Sequence, residues 1–592
     1  MSNAENKTCQ NCEQAFVIEP EDFAFYKKIN VPPPSWCPPC RSMRRLAWRE
    51  ERTLYRGVCA LCKKPTISIY APGGPFTVYC RDCWKSDVWD PGTYGRDYDF
   101  SRPFFEQFRK LMEAVPQPAL MGSLIENSEY SHACRSCKNC YFTFWCYLSE
   151  NSQYSFALLF SRDSYDSYVT NNSDHAYETL HSNRLYRVRF AYFADECLDS
   201  SFLFDCVGCT DCFGCVNLRK RKYAVFNKRL SKEEYAAAMD YWDLGSYVRL
   251  QEAKQKFREL YLSMPHRYAH VVNSVNVSGD IIRNTKDCRV CFSALDGVEN
   301  CAYLYFGAIN LKDSYDVNAG GDLCELLYET VATTNSQNTF WSAGGRGMKN
   351  VRYGNFGSEA SDLFGCVNIK KKQYYILNKQ YTKEEYEALV PKIIEHMNAM
   401  PYVDARGRVY KYGEFFPPEL SMFAYNESLA ATWYPKMKDE VLREGWRWRD
   451  SSGRDYAVTR RPEDLPDHIR DVGDEILKET IGCAHQGTCD EQCATAFRLT
   501  PEELSFYRDM GVALPRLCPS CRHAERLAWR NRYDLWRRKC SCAGAKSGND
   551  VYRNTVAHFH GQGSCSNEFE TTFAPDRSEI VYCDECYKAE LL

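Results

Sequence analysis

The sequence has few histidines, almost no net charge and no long hydrophobic run. Its 592 residues include 11 His, and 75 Lys and Arg against 78 Asp and Glu give a net charge of −3. The chain as a whole therefore has no field of one sign that would attract nucleic acid or an anionic membrane. No apolar stretch approaches the length that crosses a bilayer. Residues 1–10 lack the apolar core of a secretion signal, so we expect a cytoplasmic protein with no membrane partner.

Common catalytic motifs are missing as well. The sequence contains no His-Glu-x-x-His, no Walker loop and no Gly-x-Ser-x-Gly. If the protein carried carboxylate-based sugar chemistry, the candidates would be Asp163, Asp166, Asp313 and Asp316. Asp is, however, a standard turn former. We therefore assign no catalytic residue and keep a carbohydrate-active hydrolase or lyase as an alternative function.

Cysteine is what the sequence has in excess, with 32 residues. Secreted proteins use Cys in disulfides, whereas proteins of the reducing cytosol use paired Cys to bind metals. Four thiolates hold one zinc ion in a tetrahedron, so four Cys-x-x-Cys pairs near the N-terminus predict two sites. Pairing of neighbours along the chain is the simplest arrangement, and a crossed arrangement is the alternative. The pairs are Cys9/Cys12, Cys37/Cys40, Cys59/Cys62 and Cys80/Cys83.

The C-terminal end repeats this module. Cys-Pro-x-Cys-Arg followed by Arg-Leu-Ala-Trp-Arg occurs at Cys37 and again at Cys518, and Cys12 and Cys59 have partners at the same offset. The sequence predicts further zinc ligands at Cys489, Cys493, Cys518, Cys521, Cys540, Cys542, Cys583 and Cys586. With about four Zn²⁺ per chain, every site is closed and keeps no water to activate, so we expect structural zinc.

Three residues of the C-terminal module have less certain roles. Cys483 or His485 could replace Cys489 as a ligand, because the spacing of Cys489 differs from that of the N-terminal module. Cys565 has no obvious partner. Free Cys is often buried, so we interpret Cys483 and Cys565 as inert thiols.

These motifs resemble a known class of protein. Cys-x-x-Cys pairs followed by Cys-Pro-x-Cys-Arg resemble zinc-ribbon and treble-clef proteins, and the two terminal modules are similar to uncharacterised Cys-rich bacterial zinc-ribbon proteins. The resemblance is confined to the two ends of the chain. It implies zinc binding and no known reaction, and members of the class often bind nucleic acid, ribosomes or proteins.

The middle of the chain contains a second repeat. Asp-Ser-Tyr-Asp starts at residues 163 and 313, and Phe-Gly-Cys-Val-Asn starts at residues 213 and 364. Each copy has short apolar pieces interrupted by Ser, Asn, Asp, Gly and Cys. This pattern favours the stacked rungs of a parallel β-helix, closed by a helix that begins after Ser231 or Thr382. An antiparallel β-sandwich is the alternative.

The sequence thus predicts a mainly β, multidomain protein, in which terminal double zinc-ribbon modules flank a duplicated parallel β-helix core with short helices. The predicted units are an N-terminal zinc module (1–100), two β-helix copies with closing helices (101–267 and 268–400), a mixed α/β linker region (401–482) and a C-terminal zinc module (483–592).

Cysteines in the middle of the chain suggest a second metal chemistry. Cys206, Cys209, Cys212 and Cys215 are evenly spaced, as in the cysteine run of bacterial ferredoxins. No Pro follows the last of them, and of the corresponding run the second copy keeps only its final member, Cys366. We therefore interpret these residues as inward-packed thiols.

Arg-rich segments with interspersed aromatics follow the second Cys pair of each module. Arg suits phosphate geometry, and aromatics stack on bases, so these segments could bind nucleic acid. The alternative is that the arginines pair with nearby acidic residues. We expect a non-catalytic zinc scaffold associated with nucleic acid or ribonucleoprotein, with a purely protein-binding scaffold as a further alternative. The candidate contacts are Arg41, Arg44, Arg45, Arg49, Arg522, Arg526 and Arg530.

Overall fold

The computed structural model describes residues 4–50, 52–450, 456–489 and 492–591. β-Strands dominate these ranges, and the helices within them are too short or too polar to reach across a bilayer. The twelve α-helices of the described ranges are α1 (Pro20–Lys28), α2 (Pro38–Leu46), α3 (Arg81–Lys85), α4 (Phe104–Ala114), α5 (Lys232–Tyr241), α6 (Tyr247–Ser263), α7 (Lys383–Ala399), α8 (Leu429–Trp433), α9 (Lys438–Arg443), α10 (Pro501–Met510), α11 (Pro519–Leu527) and α12 (Asp584–Leu591). Short 3-10 helices span Pro91–Tyr94, Pro418–Leu420, Tyr425–Glu427, Pro462–Asp464, Ile469–Asp471 and Asp474–Lys478.

Two large sheets occupy the middle of the chain. In each, every strand pairs in parallel with the next strand along the chain, except for a final antiparallel pair. The first parallel sheet contains Phe156–Leu159, Arg162–Asn171, Asp174–Asn183, Tyr186–Tyr192, Ser201–Phe204, Thr210–Val216, Lys222–Val225 and Lys228–Arg229. The second parallel sheet contains Val271–Val272, Val275–Lys312, Tyr315–Thr334, Gln337–Arg346, Lys349–Ser358, Ser361–Phe364, Gln373–Ile376 and Lys379–Gln380.

The first parallel sheet has a regular register. Arg162 pairs with Asp174, and Asp174 pairs with Tyr186, so neighbouring strands are twelve residues apart. The parallel direction of pairing agrees with the sequence-based prediction, whereas a β-sandwich would require antiparallel strands. The second sheet keeps the same spacing over its last strands but has register shifts near its start.

Residues in the left-handed backbone region recur at every third position along much of these segments. Asn adopts this conformation more easily than other non-Gly residues. The side-chain amides of Asn127, Asn139 and Asn151 also form a ladder, in which Asn127 donates to Asn139 at 3.2 Å and Asn139 donates to Asn151 at 3.1 Å. The Asn-Ser pairs in the sequence therefore mark turns of the chain. Examples of the recurring left-handed residues are Asn139, Phe142, Trp145, Leu148 and Asn151.

Helices follow both large sheets, as the sequence predicts. The Ser231 hydroxyl accepts a hydrogen bond from the backbone N–H of Glu234, and Thr382 does the same for Glu385. After Ser231 there are two helices, α5 and α6, rather than a single one.

The other strands form two-stranded sheets, several of them within the terminal modules. The pairs are Glu5–Thr8 with Ala15–Ile18, Tyr55–Val58 with Pro65–Ser68, Val78–Tyr79 with Gln117–Pro118, Gly122–Glu126 with Cys134–Lys138, Pro265–Arg267 with Ile580–Tyr582, Tyr402–Val403 with Val409–Tyr410, Ile481–Gly482 with Ala496–Phe497, and Trp536–Lys539 with Glu568–Thr571.

Each terminal module contacts the segments around both large sheets. In the N-terminal module, Val78–Tyr79 pairs with Gln117–Pro118, upstream of the first parallel sheet, while α2 packs on the second parallel sheet. In the C-terminal module, Ile580–Tyr582 pairs with the strand that precedes the second sheet, while α11 packs on the first sheet. The two modules therefore join the sheets in a crossed arrangement.

Candidate metal centres

The first N-terminal cluster consists of Cys9, Cys12, Cys37 and Cys40, whose Sγ atoms lie within 4.8 Å of one another. Cys9 and Cys12 lie in the turn of a hairpin, whereas Cys37 is the N-cap of α2 and Cys40 lies in its first turn. A Pro at the start of α2 suits this position, because the first turn of a helix does not use its backbone N–H groups. The Cys37 backbone N–H donates to the Cys9 Sγ at 3.2 Å.

The second N-terminal cluster consists of Cys59, Cys62, Cys80 and Cys83, which also lie within 4.8 Å of one another. Its construction is the same: a hairpin turn supplies Cys59 and Cys62, and the start of α3 supplies Cys80 and Cys83. The structure thus brings neighbouring pairs together, as the simplest arrangement predicts, and not first with third.

Distances between the sulfur atoms match those of a zinc site. Four sulfurs at about 2.3 Å from a central ion in a tetrahedron lie about 3.8 Å apart. The observed separations are 3.7 Å between Cys12 and Cys37 and 3.9 Å between Cys62 and Cys80. None of the cysteines in the described ranges forms a disulfide. Both clusters therefore have the geometry of a closed four-thiolate site.

Hydrogen bonds between the thiols of a cluster lower the pKa of some thiols and raise that of others, such as Cys40. A hydrogen bond from Cys40 lowers the pKa of Cys12 to about 7. Hydrogen bonding from Cys483 lowers the pKa of Cys518 to about 4, and burial opposes this effect. Zinc binds the thiolate and not the thiol, so Cys12 and Cys518 are among the members of their clusters for which burial and neighbouring thiols leave ionisation easier.

The first C-terminal cluster consists of Cys483, Cys493, Cys518 and Cys521. Cys483 takes the place that Cys9 has in the N-terminal module, since the Cys518 backbone N–H donates to its Sγ at 3.3 Å. The interpretation of Cys483 as an inert thiol is therefore wrong. Cys489, the predicted ligand, approaches the same cluster with its Sγ 3.6 Å from that of Cys521.

The second C-terminal cluster consists of Cys540, Cys565, Cys583 and Cys586. The Cys565 Sγ lies 3.9 Å from that of Cys583, so Cys565 is not an inert thiol either. Cys542, predicted to join this cluster, instead lies in a separate group with His558, His560 and Cys586. In the four-thiol group around Cys540, Cys565 therefore has the place that the sequence predicts for Cys542.

Longer turns account for both differences from the prediction. In the first cluster, the Cys9 N–H bonds to the Gln14 carbonyl, whereas the Cys483 N–H bonds to the Thr495 carbonyl. In the N-terminal module, the Cys59 backbone N–H bonds to the Lys64 carbonyl, which closes a short turn. In the C-terminal module, the Cys540 N–H bonds to the Asn567 carbonyl, so the corresponding turn is much longer. One signal in the sequence could have found Cys565. It stands three residues before a strand that begins at Glu568, as Cys62 does before the strand that begins at Pro65.

Helix α2 carries buried arginines directly after its cluster cysteines. Arg41 and Arg45 both contact Asp316 of the second parallel sheet, at 2.9 and 3.2 Å. Arg44 contacts Glu329 of the same sheet at 2.7 Å and Glu414 at 3.0 Å. Burial raises the pKa of Glu329, although the arginines oppose this shift.

Helix α11 makes equivalent contacts with the first parallel sheet. Arg522 and Arg526 both contact Asp166, at 3.1 and 3.4 Å, and Arg526 contacts Glu178 at 2.6 Å. Burial raises the pKa of Glu178 to about 7, and the charge of Arg526 opposes that rise. Aromatic stacking beside each helix is also equivalent: Phe506 stacks on Tyr165, and Phe25 stacks on Tyr315, each pair at 3.9 Å between ring centroids.

The arginines predicted to contact nucleic acid are therefore not available to it in this structure. Arg41, Arg44, Arg45, Arg49, Arg522 and Arg526 are each at most 5% exposed. Arg530 is half-buried, with its guanidinium group 3.5 Å from the centroid of the Trp433 ring. Arg41, Arg44, Arg45, Arg522 and Arg526 pair with acidic residues. These partners lie on other segments of the chain rather than nearby, because α2 and α11 face the large sheets.

The central cysteines are buried among apolar side chains. Cys206, Cys209, Cys212 and Cys215 pack with Leu, Val and Ala residues of the first parallel sheet. Their S–H groups donate to main-chain carbonyls, as from Cys206 to Phe204 at 3.5 Å. This environment agrees with packing thiols.

No family model matches this chain, and no curated protein matches it. Among solved structures, the chain is similar to one described as an acetyltransferase from Desulfovibrio desulfuricans G20, with 11% identity over 49% of this chain and 75% of that chain. The TM-score is 0.10, so the similarity supports no conclusion about fold or function.

Proposed function

We propose that this protein is a zinc-dependent, non-catalytic scaffold, in which metal-bound terminal modules hold two β-solenoids in a fixed arrangement. The observation that carries the proposal is that α2 and α11 each combine cluster cysteines with buried arginines that contact a large sheet. Metal binding and docking therefore depend on the same short helix.

The coupling follows from the positions of these residues in α2. Cys37 caps the helix and Cys40 lies in its first turn. Arg41, Arg44 and Arg45 come directly after them. A nine-residue helix is marginal by itself in water. A zinc ion that fixes its first turn would also orient the arginines toward Asp316 and Glu329. Loss of the ion would free the first turn of α2. Its buried arginines would then no longer be held against Asp316 and Glu329.

We infer that each large sheet is one face of a parallel β-solenoid. Pairing at a spacing of twelve, with a left-handed residue at every third position, suits a coil with four short sides. Small residues pack inside such a coil, as the Ser155 hydroxyl does when it accepts a hydrogen bond from the Ser167 backbone N–H at 3.1 Å. Solenoid units form rigid, extended surfaces that suit a binding role.

Several features support a non-catalytic role. Sites with four thiolates keep no open coordination position for a reacting water. Asp166 and Asp316, two of the candidates for sugar chemistry, are fully buried in ion pairs with arginines. The carbohydrate-active alternative thus loses its central carboxylates.

Zinc removal tests this function. A chelator should remove about four zinc ions per chain, and protease should then cleave the terminal modules while the two large sheets stay protected. Chelator saturated with zinc beforehand is the control. A chain that keeps its protease resistance after complete zinc loss would contradict the proposal.

A second candidate function is polyanion binding at the end of the first parallel sheet. Lys220, Arg221 and Lys222 are exposed there. At the corresponding end of the second sheet, the N-terminal module covers the basic run: Lys370 donates to the Trp84 carbonyl, and Lys372 pairs with Asp90. One exposed basic end thus remains for nucleic acid or ribonucleoprotein.

Gel shifts with single-stranded RNA at increasing salt test this second function. Affinity should fall steeply with salt and be lost when Lys220 and Arg221 are replaced by Glu. A Lys392→Glu variant, at an exposed position on α7, is the control. Binding that survives the double charge reversal would exclude this site, and no binding by the unmodified protein would leave protein partners.

A further inference from the structure

The long turn of the C-terminal module contains a second group of ligand atoms. Cys542, His558 and His560 lie between Cys540 and Cys565, and their ligand atoms lie within 4.8 Å of one another and of the Cys586 Sγ. Cys586 is thus a member of two groups, since it also belongs to the second C-terminal cluster. The N-terminal module has no counterpart, because its turn between Cys59 and Cys62 is too short to carry extra ligands.

His558 is oriented as a metal ligand. Its side chain is fully buried, and its Nε2 lies 2.9 Å from the Glu590 Oε1. Its Nδ1 is buried with no hydrogen-bond partner among the described residues. A histidine that gives one ring nitrogen to a carboxylate and turns the other to a cluster has the usual arrangement of a zinc-bound imidazole.

His560 shows the same division of roles. Its Nδ1 lies 2.9 Å from the Gly563 carbonyl oxygen, and its Nε2 lies 3.4 Å from the Cys586 Sγ. A nitrogen and a sulfur bound to one tetrahedral zinc ion are about 3.6 Å apart. The ring therefore presents Nε2 to the group at a ligand distance from Cys586.

Hydrogen bonds from other residues hold Cys542 and Glu590, the partner of His558, in position. The Asn554 side chain donates to the Cys542 Sγ at 3.1 Å, and it accepts from the Tyr582 hydroxyl at 2.7 Å. Glu590 accepts hydrogen bonds from the Thr555 backbone N–H and hydroxyl as well as from the Tyr552 hydroxyl. Such outer contacts are what orient metal ligands and hold their protonation state.

We propose that the Cys586 thiolate bridges two zinc ions. One ion binds Cys540, Cys565, Cys583 and Cys586, and the other binds Cys586, Cys542, His558 and His560. Binding displaces the thiol protons and changes no oxidation state. Two zinc ions with five thiolates leave one net negative charge, whereas one ion on four thiolates leaves two, so sharing the sulfur reduces the charge that is buried. This inference rests on the proposed zinc scaffold and raises the number of zinc ions from about four to about five per chain.

Zinc counting on the full chain tests the bridge. Native mass spectrometry and metal analysis should give five zinc ions for the unmodified protein and four for the variant with His558→Ala and His560→Ala. His175→Ala, at a histidine of the first parallel sheet, should leave the count at five. Glu590→Gln keeps the shape of the side chain and should weaken one of the five ions by about 10–100-fold in chelator competition.

The possible zinc counts distinguish a failure of the bridging-thiolate proposal from a failure of the zinc-scaffold proposal. An unchanged count in the double histidine variant would overturn the bridge, since Cys586 would then serve one ion only. A fall from four to three would place a metal on the histidines and also overturn the bridge. A count of one or none in the unmodified protein would contradict the scaffold itself.

Discussion

Asp316 offers the sharpest test of how the N-terminal module is held in place. Its carboxylate is fully buried and contacts both Arg41 and Arg45 of α2. Replacement by Asn keeps the size of the side chain and suits the left-handed backbone at this position, where φ is 58°. The change therefore removes one charge and leaves two buried guanidinium groups with fewer carboxylate contacts.

The expected cost is large. Removing one partner of a buried ion pair destabilises proteins by about 3–5 kcal/mol, because the other charge stays buried. Since every 1.4 kcal/mol is tenfold, local opening of α2 should become about 10²- to 4 × 10³-fold more frequent. Hydrogen exchange measures this directly, as reduced protection of the α2 amides, with the first parallel sheet unaffected.

Asp313 provides the matched control. It belongs to the same Asp-Ser-Tyr-Asp motif and also has a left-handed backbone, but its carboxylate pairs with Lys28 at the surface. Exposed pairs contribute about 0–1 kcal/mol, so Asp313→Asn should change little. Equal protection in Asp316→Asn and Asp313→Asn would refute the idea that buried charge holds the module in place.

Three further predictions concern the clusters and the first parallel sheet. Cys565→Ser should lower the zinc count by at least one, whereas Cys366→Ser should leave it unchanged in metal analysis, because Cys366 is buried away from the clusters. Burial raises the pKa of Glu178 to about 7, so its contribution to stability is present at low pH and is lost as pH rises through about 7. The free energy of unfolding of the wild type, compared with that of Glu178→Gln in urea, should therefore fall between about pH 5 and pH 7, and a rise would contradict this. The purified protein should contain essentially no iron and be colourless, and brown protein would show that the central cysteines hold iron–sulfur clusters.

Local spacing made the N-terminal clusters predictable. Cys9 with Cys12 and Cys59 with Cys62 are each separated by two residues, so a single tight turn delivers both sulfurs to one point. The direction of strand pairing was also predictable, because small polar residues recur at turn spacing in both copies. Ser231 and Thr382 likewise marked the starts of helices through their own side chains.

Long insertions hid the C-terminal clusters. Cys540 and Cys565 belong to one hairpin, but the residues between them carry three further Cys and His side chains able to bind metal, Cys542, His558 and His560. Spacing then suggested Cys542, although only the fold shows that its thiol faces His558 and His560. Sequence spacing cannot identify ligands that are far apart along a long turn and come together only when the turn folds.

The sequence by itself determined which residue types could bind zinc and that the two ends of the chain share one pattern, because both are properties of neighbouring residues. Tertiary structure alone decided the environment of the arginines. Arg41 meets a carboxylate 275 residues away, and nothing in its own segment distinguishes that partner from a phosphate. The reason is physical: a guanidinium group binds either oxyanion equally well, so only the packing of α2 against the second sheet determines which one it meets.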